Sequence, residues 1–399
     1  MKLNQESNLF DLYEYISGES EVPPYYHFWS CVSILAATME DKAWVEINPG
    51  FPIKPNCYIG LVGPGSIGKG WAMSQAIRIL ETSTNVRIYR GKLTHSHLYD
   101  MLGKVIETEN GDCILPDPKV FIVMDELLNG VGSDKTITKS IITTLTELYT
   151  ATNYTFNEGN RSGGTLNICK PCVSWFFGST IDWLLEVMSG SGNIFESGFV
   201  ARCMFILADY DPEVRIFKPI YPKDRDIVVT WVQQRICDIS NNIHGEFKFD
   251  KVAEQTLENW YYTRDVPEDK RLHSIWKRQQ EMVYRLCMVF SVAESMDMVI
   301  KYDHVCKALY TIDSVFEFTA QLLKGCTNSG TFIGQVATYV ADLIQKNKEI
   351  PHNKLTKLCS SNRSLTAKQV RAAIAQLLEE NQIERFRQKK TNGIIYRWL

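Results

Sequence analysis

Apolar positions along the chain recur with two periods, and each change of period marks an element. Leu9, Leu12, Tyr13 and Ile16 are spaced as one face of a helix. After Pro23-Pro24 a second apolar stretch, from Phe28 to Met39, predicts another helix, and Trp44–Ile47 alternates like a strand. From Asn56 short apolar strands alternate with helices: strands at 57–62, 86–89 and 120–124, helices over about 69–81 and 96–107. Such alternation predicts a parallel α/β sheet. A helix over 136–150 follows, then two β-leaning runs around a Gly- and Asn-rich tip, a predicted hairpin. Buried strands are expected at 173–179 and 202–207, and mainly helix over 225–325, with periodic segments at 250–262, 273–296 and 303–323. Gly325–Gly330 is a candidate linker. Helices are then expected at 332–346, 353–359 and 366–380, with strands at 383–387 and 394–398.

The pattern divides the chain into an N-terminal helical region (1–55), an α/β core (56–220), a helical lid (221–328) and a tail (329–399). Three helices and a two-stranded wing give the tail the outline of a winged helix-turn-helix. Thr366 and Gln369 form a capping box at its third helix.

With 399 residues, 45% hydrophobic and 11% aromatic, the chain has ample surface to bury, which excludes disorder and predicts two or three domains. No stretch approaches the roughly 20 apolar residues of a membrane span, and MKLNQESNLF lacks the apolar core of a signal peptide. A cytoplasmic protein, in a bacterium or its host, is therefore expected, with reduced thiols. Cys169 and Cys172 stand at the spacing of a metal half-site, but no second pair follows. His95 and His97 likewise read as surface or capping residues. The net charge of −3 is unevenly spread. Residues 351–399 hold ten Lys/Arg against three Glu, a net of +7 on a body of −10. A basic end on an acidic body points to a polyanionic partner.

The strongest chemical signal is Gly63-Pro64-Gly65-Ser66-Ile67-Gly68-Lys69, a G-x-x-x-x-G-K run between a strand and a helix. Its glycines let backbone N–H groups turn towards phosphates, and Lys69 reaches the β- and γ-phosphates. The next residue is Gly70, where Ser or Thr ordinarily gives a hydroxyl to Mg²⁺. About sixty residues on, the strand VFIVM ends in Asp125-Glu126. Asp125 is the candidate Mg²⁺ ligand and Glu126 the group that polarises an attacking water.

In this order the segment from Asn56 to Met288 resembles the AAA+ ATPases of the MCM-like helicase type, and the related replication helicases of phages, plasmids and mobile elements. FFGST resembles the sensor-1 segment, making Ser179 or Thr180 the sensing hydroxyl. GFVARCMF resembles the arginine-finger segment, making Arg202 a finger offered to a neighbouring subunit. RQQEMVYRLC resembles the sensor-2 helix, making Arg278 its arginine, acting in trans as in MCM proteins, with Glu281 and Arg285 supporting the helix. TATNYTFNEGNRSGGTLNI resembles the hairpin that in MCM-like helicases points into the ring channel, and within it Arg161, Asn157 and Asn160 are candidate contacts for phosphate oxygens, with Lys170 a weaker addition.

The resemblance implies an AAA+ P-loop core with helical additions and a C-terminal winged-helix domain. It implies an ATP- and Mg²⁺-dependent homohexameric DNA helicase for a virus or mobile element. Its partners would be single-stranded and forked DNA, with a primase or initiator protein supplied separately. The tail would add DNA contacts through Lys368, Arg371, Arg387, Lys389 and Lys390. Gly70 keeps an alternative open: an ATP-bound DNA-binding initiator or loader that turns over slowly.

Overall fold

A computed structural model describes residues 3–103, 106–107, 113–114, 117–131, 135–151, 153–157, 165–184, 198–207, 213–329, 332–363, 367–379, 382–387 and 394–398. The chain forms two compact units, one of Met1–Leu184 with Ile194–Ala320, the other containing Gln321–Leu399.

The first unit opens with α1 (Leu9–Ser17) and α2 (Pro24–Met39), followed by β1 (Ala43–Asn48) and β2 (Phe51–Ile53). The Asn8 side chain accepts the Phe10 N–H at 2.9 Å and starts α1, while Pro24 at the first turn starts α2. The α/β run is β3 (Tyr58–Val62), α3 (Lys69–Ser83), β4 (Ile88–Arg90), α4 (His95–Gly103), β5 (Ile106–Glu107), β6 (Cys113–Ile114) and β7 (Lys119–Met124). It continues through α5 (Leu127–Val131), α6 (Lys135–Leu148), the hairpin β8 (Asn153–Asn157) and β9 (Thr165–Cys169), β10 (Cys172–Ser179) and β11 (Cys203–Leu207). Helices α7 (Arg225–Asn242), α8 (Lys251–Thr263), α9 (His273–Glu294) and α10 (Tyr302–Ser329) follow, with short strands β12 (Gly245–Glu246), β13 (Lys248–Phe249) and β14 (Val299–Ile300) between them.

The expected parallel sheet is present. Its five strands lie in the order β11-β3-β10-β7-β4, every pairing parallel. β3 and β10 are buried at every residue, as continuous apolar runs covered on both faces require. The N-terminal helices share this core. Leu12, Trp29 and Leu35 belong to one apolar cluster with Ile59 and Leu61 of β3, Val232 of α7 and Val289 of α9. Arg285 is 1% exposed and ties α9 to the sheet. Its guanidinium donates to the Lys54 carbonyl and to Asn56 Oδ1, and lies 4.3 Å from the centre of the Tyr149 ring.

The second unit contains the end of α10 from Gln321, then α11 (Phe332–Asn347), β15 (Glu349–Pro351), α12 (His352–Arg363), α13 (Ala367–Glu379), β16 (Ile383–Arg387) and β17 (Ile394–Trp398). The strands pair antiparallel in the order β15-β17-β16, and Ile344, Leu355, Ile374 and Ile383 form its core.

Several expectations are corrected. The candidate linker at 325–330 is helical through Ser329, because Leu322 and Leu323 are buried and their packing outweighs the roughly 1 kcal/mol helix cost of Gly325. α4 stops at Gly103, and 106–107 form a strand. His95 is no mere surface residue: its Nε2 lies 2.7 Å from Thr144 Oγ1 and ties α4 to α6. The sheet of the second unit has a third strand, β15, which three residues ending in proline do not announce.

Burial in α2 holds the His27 imidazole neutral, with its pKa pulled down to about 4. Above pH 6.5 both folded and unfolded chains carry it neutral. Below that, only the unfolded chain takes up the proton, so stability falls with pH by about 1.4 kcal/mol per unit until pH 4. At pH 5 the loss is about 2 kcal/mol, and His27→Phe should flatten that part of the urea-unfolding profile measured between pH 7 and pH 5.

Candidate functional site

The loop 63–70 leaves the buried end of β3 and enters α3. Ser66 and Gly68 both adopt positive φ, 66° and 89°. Such left-handed residues among right-handed ones turn successive N–H groups to one side, the geometry of an anion nest. Gly68 is required twice over, since a Cβ there would also lie 2.6 Å from Val22 Cγ2. Gly63 is crowded as well: its Cβ would come 2.5 Å from the Tyr26 hydroxyl, which donates to the Val62 carbonyl at 2.7 Å. Two residues of the N-terminal region therefore shape the loop. Lys69 begins α3 and is 7% exposed, its ammonium donating to the Gly63 and Pro64 carbonyls at 2.7 Å each. A polyphosphate fits this setting, with inward amides, a helix N-terminus and an ammonium at the same place.

The acidic pair follows β7. Asp125 is exposed and Glu126 half-buried. Burial raises the Glu126 pKa and Lys69 opposes that rise; burial lowers the Lys69 pKa and Glu126 opposes that fall. Each charge thus stabilises the other in a partly dry site. β10 lies between the two strands and closes the junction. A Cβ on Gly178 would sit 2.4 Å from the Asp125 carbonyl and 3.7 Å from Lys69 Cε. Next to it, Ser179 is fully buried, its carbonyl accepting the Gly63 N–H at 3.1 Å and its hydroxyl donating to the Thr180 carbonyl at 3.2 Å. The Thr180 hydroxyl accepts the Trp183 N–H at 3.3 Å. Lys69, Asp125, Glu126, Ser179 and Thr180 therefore gather at the C-terminal ends of β3, β7 and β10, where open α/β sheets bind ligands.

Gly70 is exposed, and a side chain there meets nothing within 4 Å. The missing hydroxyl is not forced by space. For a divalent ion the site supplies the Asp125 carboxylate, and the described residues hold no cluster of three or more His, Cys, Asp or Glu that could bind a metal by itself.

The candidate arginines lie elsewhere. Arg202 precedes β11, whose first residue, Cys203, pairs with Tyr58 at the start of β3, while Leu207 pairs with Val62 beside the loop. Four residue steps at about 3.3 Å put roughly 13 Å between these two ends of the strand. α9 packs against the turn that carries Arg202. Burial lowers the Arg202 pKa, and the nearby Arg278 lowers it further while Glu281 opposes both. Arg278 is held by Glu281 through Oε1 and Oε2 at 3.1 and 3.2 Å. Arg202 donates to the Gly198 carbonyl at 2.9 Å, and its Nε has no hydrogen-bond partner among the described residues. Among Arg202, Arg278 and Glu281 the balance is one net positive charge.

For the nucleic-acid candidates, both hairpin arms are described and pair from Asn153↔Cys169 to Asn157↔Thr165, whereas Asn160 and Arg161 lie outside the described residues. Lys170 is exposed at the hairpin's base, with φ 51°. In the second unit, Arg371 is exposed on α13. Lys368 belongs to the same helix and Arg387 ends β16, their side chains outside the description, as are Lys389 and Lys390 entirely. No helix among the described residues is long and apolar enough to cross a membrane. No protein-family model matches the chain, and no curated protein matches it.

The two glycines of this site should respond oppositely to a methyl group. Gly178→Ala should lower stability by about 1–3 kcal/mol through overpacking against the Asp125 backbone, whereas Gly70→Ala should raise it by up to about 1 kcal/mol through helix propensity. Thermal melts of the two variants check both signs.

Proposed function

We propose that the chain is an ATP-dependent DNA helicase of the AAA+, MCM-like type, acting as a homohexameric ring with ATP held between subunits. The observation that carries this reading is the separation of two sets of groups. The phosphate loop and acids stand at one end of the sheet, and Arg202 with Arg278 at the other. The strand order β11-β3-β10-β7-β4, with the loop after β3, second in that order, also supports a P-loop ATPase.

In this reading, the amides of 65–69 and Lys69 bind the β- and γ-phosphates. Asp125 would hold Mg²⁺, which would supply neutralising charge to the bound phosphates. Glu126 orients and polarises the attacking water, and its raised pKa suits a group that takes up a proton. Ser179 or Thr180 contacts the γ-phosphoryl oxygens. Arg202 and Arg278 from the next subunit stabilise the charge that spreads over those oxygens. Strand movement would come from the β8–β9 hairpin and its Arg161, and the C-terminal unit would act as a winged-helix domain, gripping duplex or fork backbone through its basic residues.

Lys69→Ala and Glu126→Gln should each abolish unwinding of a forked duplex. Arg202→Ala should reduce ATPase turnover by about 10³-fold or more, as for other arginine fingers. An equal mixture of Lys69→Ala and Arg202→Ala chains should recover about a quarter of wild-type ATPase, since one interface in four then pairs an intact loop with an intact finger. A mixture as inactive as its components would refute catalysis in trans.

A second reading, a slowly hydrolysing initiator or loader, is favoured by Gly70 alone. Steady-state ATPase separates the two. A background rate with ATP still bound, unchanged by single-stranded DNA, selects the initiator. Gly70→Ser has room for its hydroxyl, and a gain of activity would show that the native loop is weakened.

A further inference from the structure

The hairpin β8–β9 leaves the sheet at the end where Arg202 lies, and side chains from outside the hairpin fasten both of its legs there. Asn56, 2% exposed and just ahead of β3, spans the two legs. Its amide N–H groups donate to the Tyr149 carbonyl, before β8, and to the Val173 carbonyl, beyond β9, at 3.1 Å each. The half-buried Lys54 holds the turn between β9 and β10. Its ammonium donates to the consecutive carbonyls of Lys170 and Pro171, at 3.1 and 2.9 Å. Lys170 has φ 51°, a left-handed conformation that is costly for a residue with a side chain. Two hydrogen bonds from one charged donor hold the turn against that cost.

Both anchors are tied in turn to α9. The Arg285 guanidinium donates to the Lys54 carbonyl and, at 3.2 Å, to Asn56 Oδ1. Arg278, Glu281 and Arg285 stand at i, i+3 and i+7, on one face of that helix. Seven residues at 1.5 Å per residue put Arg278 about 10 Å from Arg285 along the axis. Glu281 bonds Arg278, and its charge also stabilises that of Arg285. A row of polar contacts therefore runs from Arg278 through Glu281 and Arg285 to Lys54 and Asn56, and from these to both legs of the hairpin. The nucleotide chemistry proposed above makes no use of Lys54 or Asn56.

We propose that Lys54 and Asn56 are positioning residues that, through Arg285, couple the helix bearing Arg278 to the base of the β8–β9 hairpin. What moves the helix rests on the ATPase reading, in which a neighbour's triphosphate meets Arg278; the link itself rests on the contacts above. The anchors grip the legs of the hairpin, so a shift of α9 is passed to both arms together. Nucleotide state then sets the attitude of the hairpin, while hydrolysis without DNA does not depend on the link.

Lys54→Met keeps the stem and removes the donor, and Lys54→Arg keeps a donor. Amide hydrogen exchange of the full-length chain, read by mass spectrometry, tests the link without nucleotide or DNA. Lys54→Met should exchange about tenfold faster in β8, in β9 and in residues 278–285 of α9, with β7 unchanged, the loss of about one charge-assisted hydrogen bond. Lys54→Arg should remain close to wild type. Faster exchange confined to the hairpin, or none, would overturn the link. ATPase and fork-unwinding assays test its use. Lys54→Met should keep DNA-free turnover within about twofold of wild type, lose stimulation by single-stranded DNA, and unwind about tenfold more slowly or worse, with Lys54→Arg recovering most of both. Undiminished DNA stimulation, or an equal fall of turnover with and without DNA, would overturn the coupling role. A wild-type chain that does not hydrolyse ATP counts against the helicase reading, and the exchange measurement then decides the link alone.

Discussion

The register of β11 against β3 constrains everything said about this protein. Cys203 lies beside Tyr58 and Leu207 beside Val62, so the residue before β11 stands one strand length from the residue after β3. Arg202 holds the first position and Gly63 the second. The strands are buried and fully paired, so no side-chain rotation brings the arginine to its own chain's loop. A guanidinium at this end can assist phosphoryl transfer only by meeting a second copy of the chain. Arg278 shares that fate, because α9 packs where Arg202 sits and is fixed there by the buried Arg285. Under the proposed function, assembly is then a requirement of the chemistry.

The N-terminal helices are the second part of that argument. They carry no motif, and their sequence reads as a separate helical region. In the folded chain they belong to the same core as the sheet and complete the loop from outside, Tyr26 at the Val62 carbonyl and Val22 over Gly68. The loop's left-handed turn at Gly68 is thus held by packing as well as by its own backbone preference.

What was legible in the sequence follows from how local each signal is. The loop 63–70 and the acidic pair are short runs written in neighbouring residues, and both lie at the strand ends where they were expected. The five core strands were legible because buried parallel strands are unbroken apolar runs; only β4 was misplaced, by two residues. The pairing of Arg202 with Arg278 joins positions far apart in sequence and needed the fold. The same holds for Tyr26, Val22 and Gly178, an aromatic, an aliphatic and a glycine whose roles come only from what they touch. Gly325 misled for the opposite reason: a local breaker was overruled by the packing of Leu322 and Leu323.

The central claim is that a complete site needs two copies of the chain, one giving the loop and the other the arginines. Its most direct test is particle mass, measured by mass photometry with a non-hydrolysable ATP analogue and single-stranded DNA. The account predicts a closed species of six times the 45.7 kDa chain. A population that stays at 45.7 kDa with both ligands present would contradict it.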